Sequence, residues 1–187
     1  MPLPTSRPLP IILINGFPDS DMLRIARKLV DLFTHHDAKC FHNHHLDRPA
    51  EAILPRTHPR WEFVRHALLS TVFDQLAECE DTKKSIYVMT QIMSSHDIGH
   101  DTMFNYRDMA ARRGCTFVPV TITSNMENVV RLIRNGRRAA RGDDKSAEDP
   151  MLYDDYYHIR VDGTKLNDDE AAQAIYEHVL RVCRELR

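Results

Sequence analysis

Aliphatic runs and amphipathic segments alternate along the chain from one end to the other. Apolar runs at 11–14, 85–90 and 116–123 are typical of strands that are buried on both faces. Shorter strands are predicted near 39–42 and 158–161. Because the strands are separated by segments with apolar residues three or four positions apart, the pattern predicts strand–helix units. We therefore predict an α/β fold, a three-layer α/β/α domain with a mainly parallel five-stranded sheet.

Two of the predicted helices have an apolar face that can be read directly. The helix after the first strand begins near Asp21, and the apolar positions of its buried face are Met22, Ile25, Leu29 and Phe33. A second helix is predicted at 61–77, and its buried face is formed by Val64, Leu68, Val72 and Leu76. The polar stretch between them is predicted to be a loop, because it contains Pro49, Pro55 and Pro59.

The other predicted helices are located by their end signals. One covers 97–113 and ends at Gly114, one opens at Ser124 or Asn125, and the last runs from Asn167 onward. The stretch 136–150 is arginine-rich and then acidic, so we predict a lid-like surface flap from about 134 to 150. Residues 1–9 are predicted to be an extended leader, and residues 1–187 to form one domain.

Composition and charge exclude several classes of function. With 187 residues, 42% hydrophobic and 28% charged, the chain is an ordinary globular protein. The net charge of −2 gives no broad attraction to nucleic acid, and no apolar run reaches the roughly 18 residues of a membrane span. The four cysteines are scattered without a C-x-x-C pair, which indicates reduced thiols. We therefore expect a cytoplasmic protein that binds neither nucleic acid nor membrane, with its oligomeric state left open.

The first strand leads into the frame of a phosphate-binding loop, G-x-x-x-x-G-K-[ST]. Gly16 takes the first position, but the last three positions are filled by Asp21, Met22 and Leu23. In a working loop, glycine lets backbone amides approach the phosphates, lysine neutralises them and the hydroxyl holds magnesium. All three are absent here, and Asp19 adds further negative charge. The loop indicates a nucleotide scaffold that has lost nucleotide binding, so we predict no cofactor.

The chain resembles the P-loop small-molecule kinases, and more closely an uncharacterised kinase-like group. The segments that carry the resemblance are 11–18, 43–46, 55–59 and 117–120. The resemblance implies a lid at the arginines of 131–141, and an aspartate at the end of the third strand that supports magnesium or the acceptor hydroxyl. Here that strand ends in the neutral Gln91. A second part of the ATP machinery is therefore missing, which argues against phosphoryl transfer.

In this fold a ligand site lies beyond the carboxyl ends of the strands. Carboxylates and histidines can exchange protons near neutral pH, and the catalytic candidates are Asp21, His44, Asp19 and His96. Arginines can hold an anionic group, and the substrate-binding candidates are Met22, Asn43, Arg60, Arg65, Gln91, Arg131, Arg134 and Arg138. A metal is not predicted, since the pair His42 and His44 with the nearby Asp47 is a weak signal.

Each candidate also has a purely structural interpretation. Asp19 or Asp21 can cap the first helix, and Met22 can belong to its apolar stripe. Arg60 and Arg65 can pair with Glu62 on the surface. The lid arginines can be a solvated charge run that the acidic part of the flap partly neutralises. The sequence leaves these alternatives open.

Three hypotheses for function follow. The first is a repurposed kinase fold that acts on a small organic molecule by cofactor-independent acid–base catalysis, as an isomerase, cyclase, lyase or hydrolase. Asp21 would be the general acid or base, His44 its partner, and a lid arginine would orient the substrate. The second is a catalytically dead pseudokinase that binds a metabolite or a protein. The third is an atypical ATP-dependent small-molecule kinase, in which Arg131 or Arg134 replaces the loop lysine.

Overall fold

The computed structural model describes residues 7–16, 22–92, 97–123 and 157–186, with only the backbone of 97–101. Five strands form one sheet: β1 Ile11–Gly16, β2 Asp37–His42, β3 Ser85–Gln91, β4 Phe117–Thr123 and β5 Ile159–Asp162. Their order is β2-β3-β1-β4-β5, and every pair is parallel. The α/β class and the five-stranded parallel sheet are confirmed.

The described residues form five α-helices: α1 Met22–Leu32, α2 His44–Ile53, α3 Trp61–Glu78, α4 Asp97–Arg113 and α5 Asp168–Val182. Two short 3-10 turns, Thr82–Lys84 and Arg184–Leu186, follow α3 and α5. Buried residues of α1 and α5 share one hydrophobic cluster, whereas those of α2, α3 and α4 share the other. The helices therefore cover both faces of the sheet. None of the helices in these ranges is long and apolar enough to cross a membrane.

Strand β1 lies at the centre of both clusters. Ile12 and Ile14 belong to the cluster under α1 and α5, and Ile11 and Leu13 to the cluster under α2, α3 and α4. All four side chains are fully buried. Since burying such a side chain is worth roughly 1.5–3 kcal/mol, the continuous aliphatic run is explained by a strand with no solvent-facing side.

Two helix ends lie where their local chemistry predicts them. Arg113 is the last residue of α4, and Gly114 follows with φ +73°, the left-handed conformation that glycine adopts without strain. At the start of α5, the side chain of Asn167 accepts hydrogen bonds from the amides of Asp169 and Glu170 at 2.9 and 3.0 Å. The Glu170 carboxylate accepts from the Asn167 amide in return, at 2.9 Å, which completes a capping box.

The prediction of a loop throughout the stretch between β2 and α3 is wrong, because α2 occupies residues 44–53. Pro49 lies inside this helix and leaves one backbone carbonyl without its usual amide partner. However, Leu46 and Ala50 are four positions apart and both are buried, so one face of α2 packs in the core. Tertiary packing therefore outweighs the proline signal here.

The predicted buried face of α3 is rotated by about one position. Leu76 is buried as expected, but Val64, Leu68 and Val72 are only half-buried. The fully packed positions are instead Trp61, Leu69, Phe73 and Ala77. Both sets have helical spacing, and the bulky aromatic side chains decide which set enters the core. The buried stripe of α1 is confirmed, since Met22, Ile25, Leu29 and Phe33 are all buried.

Other predictions concern residues outside the described ranges. These are the helix opening at Ser124 or Asn125, the flap at about 134–150 and most of the leader. The assignment of residues 1–187 to one domain stays a prediction.

A buried guanidinium ties several elements together at the amino end of the sheet. Arg113 is only 2% exposed. It donates hydrogen bonds to the carbonyl groups of Leu9, Leu76, Thr82 and Ser85 at 2.7–3.3 Å, and to the Thr82 hydroxyl at 3.2 Å. Burial lowers the pKa of Arg113, yet arginine remains charged throughout the accessible pH range. One side chain thus satisfies backbone carbonyl groups near the end of α3, at the start of β3 and in the leader.

We expect Arg113→Lys to lower the free energy of unfolding by about 2–4 kcal/mol, because a lysine ammonium cannot reach this set of acceptors and leaves buried carbonyls unpaired. The matched control is Arg112→Lys, since Arg112 is exposed and pairs with Asp74 and Glu78 on the surface. That change should lower the free energy of unfolding far less, because the ion pairs of Arg112 are exposed to solvent. Urea unfolding measures both variants, and equal losses would contradict the role of Arg113.

Candidate functional site

The carboxyl ends of β1 and β3 lie side by side at the centre of the sheet. Asn15 is the register partner of Gln91, and Asn15 is fully buried. The chain leaves β1 into α1 on one face and leaves β3 into α4 on the other face. In open parallel sheets, a crevice forms where neighbouring strands connect to opposite faces. Gly16 and Gln91 thus end neighbouring strands whose helices lie on opposite faces, which is the kind of position where ligands bind in this class of sheet.

Three imidazole rings lie together at the carboxyl end of β2. His42 is the last residue of this strand and His44 the first of α2, followed by His45. The ring of His42 lies 5.1 Å from that of His44 and 4.4 Å from that of His45, between centroids. The His44 amide donates a hydrogen bond to Nδ1 of His42 at 3.2 Å. We name these three residues the histidine cluster.

The pKa of His42 is lowered to about 4. Burial is the largest cause, because it penalises the charged ring. Electrostatic interactions with His45, His44, Arg27 and Arg48 lower the pKa further. His42 is therefore neutral at pH 7, and its Nδ1 can accept the amide hydrogen bond of the next turn.

The carboxylate beside the histidine cluster is that of Asp47, which is buried in α2. Arg65 Nε donates a hydrogen bond to Oδ1 of Asp47 at 2.7 Å, and Arg56 Nη2 donates to Oδ2 at 3.0 Å. Arg56 also pairs with Glu51. His44 Nδ1 lies 3.8 Å from Oδ2 of Asp47, an electrostatic contact rather than a hydrogen bond. Asp47 thus joins α2 to α3 and faces one side of His44.

The described site residues have different surroundings. Met22 is 7% exposed and belongs to the same cluster as Ile12 and Ile14, so its burial favours the core interpretation. Asn43 precedes α2 and makes no capping hydrogen bond with its side chain. Gln91 is half-buried at the end of β3.

The two arginines of α3 and its approach differ in their partners. Arg65 bonds to Asp47 rather than pairing with Glu62. Arg60 is exposed, and its guanidinium lies 5.5 Å from the centroid of the Phe63 ring. Of the predicted candidates, the structure thus brings His44 and Arg65 together around one carboxylate. The remaining candidates lie outside the described residues: Asp19, Asp21, His96, Arg131, Arg134 and Arg138.

Sequence reasoning named Asp47 only as part of a weak metal signal, and it missed Arg56, Arg27 and Arg48 as residues of this region. The signal for Arg48 and for the role of Asp47 was the spacing of Leu46 and Ala50, which reveals α2 and the side of it that faces the core. Within residues 7–16, 22–92, 97–123 and 157–186, no group of three or more histidine, cysteine or acidic residues could hold a metal ion.

No family model and no curated protein matches this chain. Solved structures do match it along nearly its full length. The APS kinase CysC of Mycobacterium tuberculosis, in complex with AMPPNP and APS, has a TM-score of 0.64 at 16% identity, with 92% of this chain and 98% of that chain covered. The chain has a P-loop kinase-like fold.

Two further solved structures agree with this assignment. The protein named APE1195 has a TM-score of 0.67 at 15% identity, covering 94% of this chain and 97% of its own. A sugar kinase from Janibacter sp. HTCC2649 has a TM-score of 0.58 at 17% identity, covering 93% of this chain and 94% of its own. At these identities the likeness establishes the P-loop kinase-like scaffold, and the chemistry has to be argued from the residues.

We expect Asp47→Asn to lower the free energy of unfolding by about 3–5 kcal/mol, because it leaves the guanidinium of Arg65 partly buried beside a neutral group. The Arg65 side chain is only 17% exposed. Asp74→Asn is the matched control, since Asp74 is an exposed partner of Arg112 and should cost less than about 1 kcal/mol. Chemical denaturation measures both variants, and a loss for Asp47→Asn no larger than for the control would contradict the buried pair.

We expect His42 to make the folded protein less stable in acid. Its folded pKa of about 4 lies below the value of 6.5 for an unperturbed histidine, so the unfolded chain binds the proton more tightly. The stability contributed by neutral His42 is complete above pH 6.5 and is lost as the pH falls from 6.5 through about 4.

Urea titrations of the wild type and of His42→Gln over this pH range check the expectation. The variant should lose less stability on acidification than the wild type, because glutamine does not titrate. Parallel curves for the two proteins would show that His42 is not held neutral by the fold.

Proposed function

We propose that this protein uses the kinase scaffold without nucleotide, and that it acts on a small organic molecule by acid–base catalysis. The small molecule binds in the crevice beyond β1, β2 and β3. His44 exchanges a proton with it, Asp21 of the loop is the second acid–base group, and lid arginines hold its anionic part. The burial of Met22 is the observation that carries the loss of nucleotide binding.

Met22 stands at the position where a working phosphate loop has its lysine. It is the first residue of α1, and its side chain is buried in the cluster that contains Ile12 and Ile14. A lysine ammonium serves by reaching the phosphates, whereas this thioether packs in the core. Strand β3 ends in Thr90 and the neutral Gln91, so it supplies no carboxylate for magnesium.

His44 has the surroundings that acid–base chemistry requires. Its side chain is 39% exposed, which leaves it accessible to a ligand. Nδ1 lies on the side of Asp47, so Nε2 lies on the opposite side of the ring. The carboxylate is itself held by Arg65 and Arg56, and this rigid partner favours one ring orientation. The same geometry would serve a pseudokinase that only binds, so turnover decides between them.

The first test measures nucleotide binding directly. The APS kinase neighbour is a complex with AMPPNP, so binding of an ATP-type ligand is the outcome to exclude. We expect no stabilisation of the wild type by Mg-ATP in a thermal-shift titration, relative to sodium chloride at equal ionic strength. A ligand at 100 times its dissociation constant stabilises by about 2.7 kcal/mol, and a shift of that size would contradict the proposal and support an ATP-dependent kinase.

The second part of the test measures turnover. The wild type is incubated without nucleotide with mixtures of small carboxylated and phosphorylated metabolites, and proton NMR follows their signals. We expect one component to be converted by the wild type and not by His44→Gln. His66→Gln is the matched control, since His66 is exposed on α3 and lies in neither the histidine cluster nor the Asp47 pair. Binding without conversion by the wild type would favour the pseudokinase.

A further inference from the structure

A groove that is open to solvent runs between α3 and α4, and it holds about 400 Å³ of empty space. Its floor consists of side chains that are themselves buried, namely Leu69, Phe73 and Met109. Its walls are polar and are formed by residues of both helices, among them Ser70, Asp74, Asn105 and Asp108. An apolar floor inside a polar rim is the composition of a protein–protein contact.

A large aromatic side chain projects beside this groove. Phe104 of α4 is 69% exposed, and the residue that follows it, Asn105, lines the groove. Its neighbours Met103 and Tyr106 are buried, so α4 cannot turn Phe104 inward without exposing them. A second molecule can cover this ring without any change in the helix. Exposed apolar groups next to a groove mark such interaction surfaces.

The charges on this face have opposite signs at different places. One end of the groove is acidic, because the guanidinium of Arg112 is shared by three carboxylates, those of Asp74 at 2.8 Å, Glu78 at 2.7 Å and Asp108 at 3.7 Å. Arg107 is exposed and follows Phe104 by three positions, so both project from the same side of α4. The projecting ring is therefore accompanied by a positive charge, and the groove by an excess of negative charge.

We propose that the face formed by α3 and α4 is an interface between two copies of this chain, in which Phe104 of each copy enters the groove of the other. A two-fold dimer requires a surface that complements itself, and this face carries both the projecting ring and the apolar groove. The arrangement also brings Arg107 of each copy toward the acidic groove of the other. The interface goes beyond the proposed function and does not depend on it, since the groove-lining residues differ from those assigned to the ligand.

Sedimentation equilibrium of the wild type tests the association itself. The protein is measured from about 1 μM to about 200 μM, the range in which a weak contact dissociates. We expect the mass to rise with concentration toward twice the chain mass of 21.7 kDa. A wild type that keeps the mass of one chain over the whole range would overturn the proposal and leave the groove to a different occupant.

Two variants remove the contact from opposite sides. Phe104→Glu replaces the ring by a carboxylate that faces an acidic groove, and Ser70→Arg fills the groove from an exposed position of α3. Each should weaken self-association about tenfold or more, because buried aromatic anchors carry much of the binding energy of an interface. Ile53→Glu is the matched control, since Ile53 is 64% exposed at the end of α2 and does not line the groove. It should change the dissociation constant less than about twofold. Equal effects of Phe104→Glu and Ile53→Glu would overturn the interface.

A mixture of the two variants separates docking from a defect in folding. In a mixed dimer, Phe104 of the Ser70→Arg chain enters the intact groove of the Phe104→Glu chain. On the other side of the two-fold axis, the introduced glutamate faces the introduced arginine. We therefore expect the equimolar mixture to form dimers at concentrations at which each variant alone has the mass of one chain. The absence of any gain on mixing would overturn the two-fold exchange, whatever the tests with Mg-ATP and with metabolites show.

Discussion

Strand β1 has no face in contact with water, and the position of the site depends on this constraint. Its side chains alternate between two hydrophobic clusters, so helices must cover both sides of the sheet. The chain then leaves β1 toward α1 on one face and leaves β3 toward α4 on the other face, and sheets of this kind bind ligands beyond the ends of such strands. Burial of four aliphatic side chains thus fixes the position of β1 in the sheet, and with it the position of Asn15 and Gly16 beside Gln91.

The buried carboxylate of Asp47 lies between the arginines of α3 and its approach and the ring of His44. Asp47 binds the arginines of α3 and its approach, and so it joins α2 to α3 while matching their charge. The ring of His44 also lies 5.1 Å from the ring of His42, between centroids. Burial, the other two histidines, Arg27 and Arg48 lower the pKa of His42. Burial keeps His42 neutral at this place. The fold therefore puts a buried ion pair next to a neutral histidine.

A kinase-like fold does not by itself supply the residues that bind nucleotide. Kinases share this fold at 13–17% identity, which leaves room for any side chain at the phosphate loop. A lysine that binds phosphate must leave the core, whereas Met22 enters it and stabilises α1 against the sheet. The residue that could bind nucleotide and the residue that packs the helix occupy one position here. Met22 therefore serves helix packing at the position where a working phosphate loop has its lysine.

The sequence alone determined the elements whose signals are local. The strands follow from apolar runs, and the ends of α4 and α5 follow from Gly114 and Asn167, because turn and cap chemistry involves residues only a few positions apart. The tertiary structure alone decided the strand order, the existence of α2 despite Pro49, and the buried face of α3. The tertiary structure also determined that Arg65 pairs with Asp47, eighteen positions away. Such choices depend on which surfaces meet in space, and the spacing of residues along one helix does not contain that information.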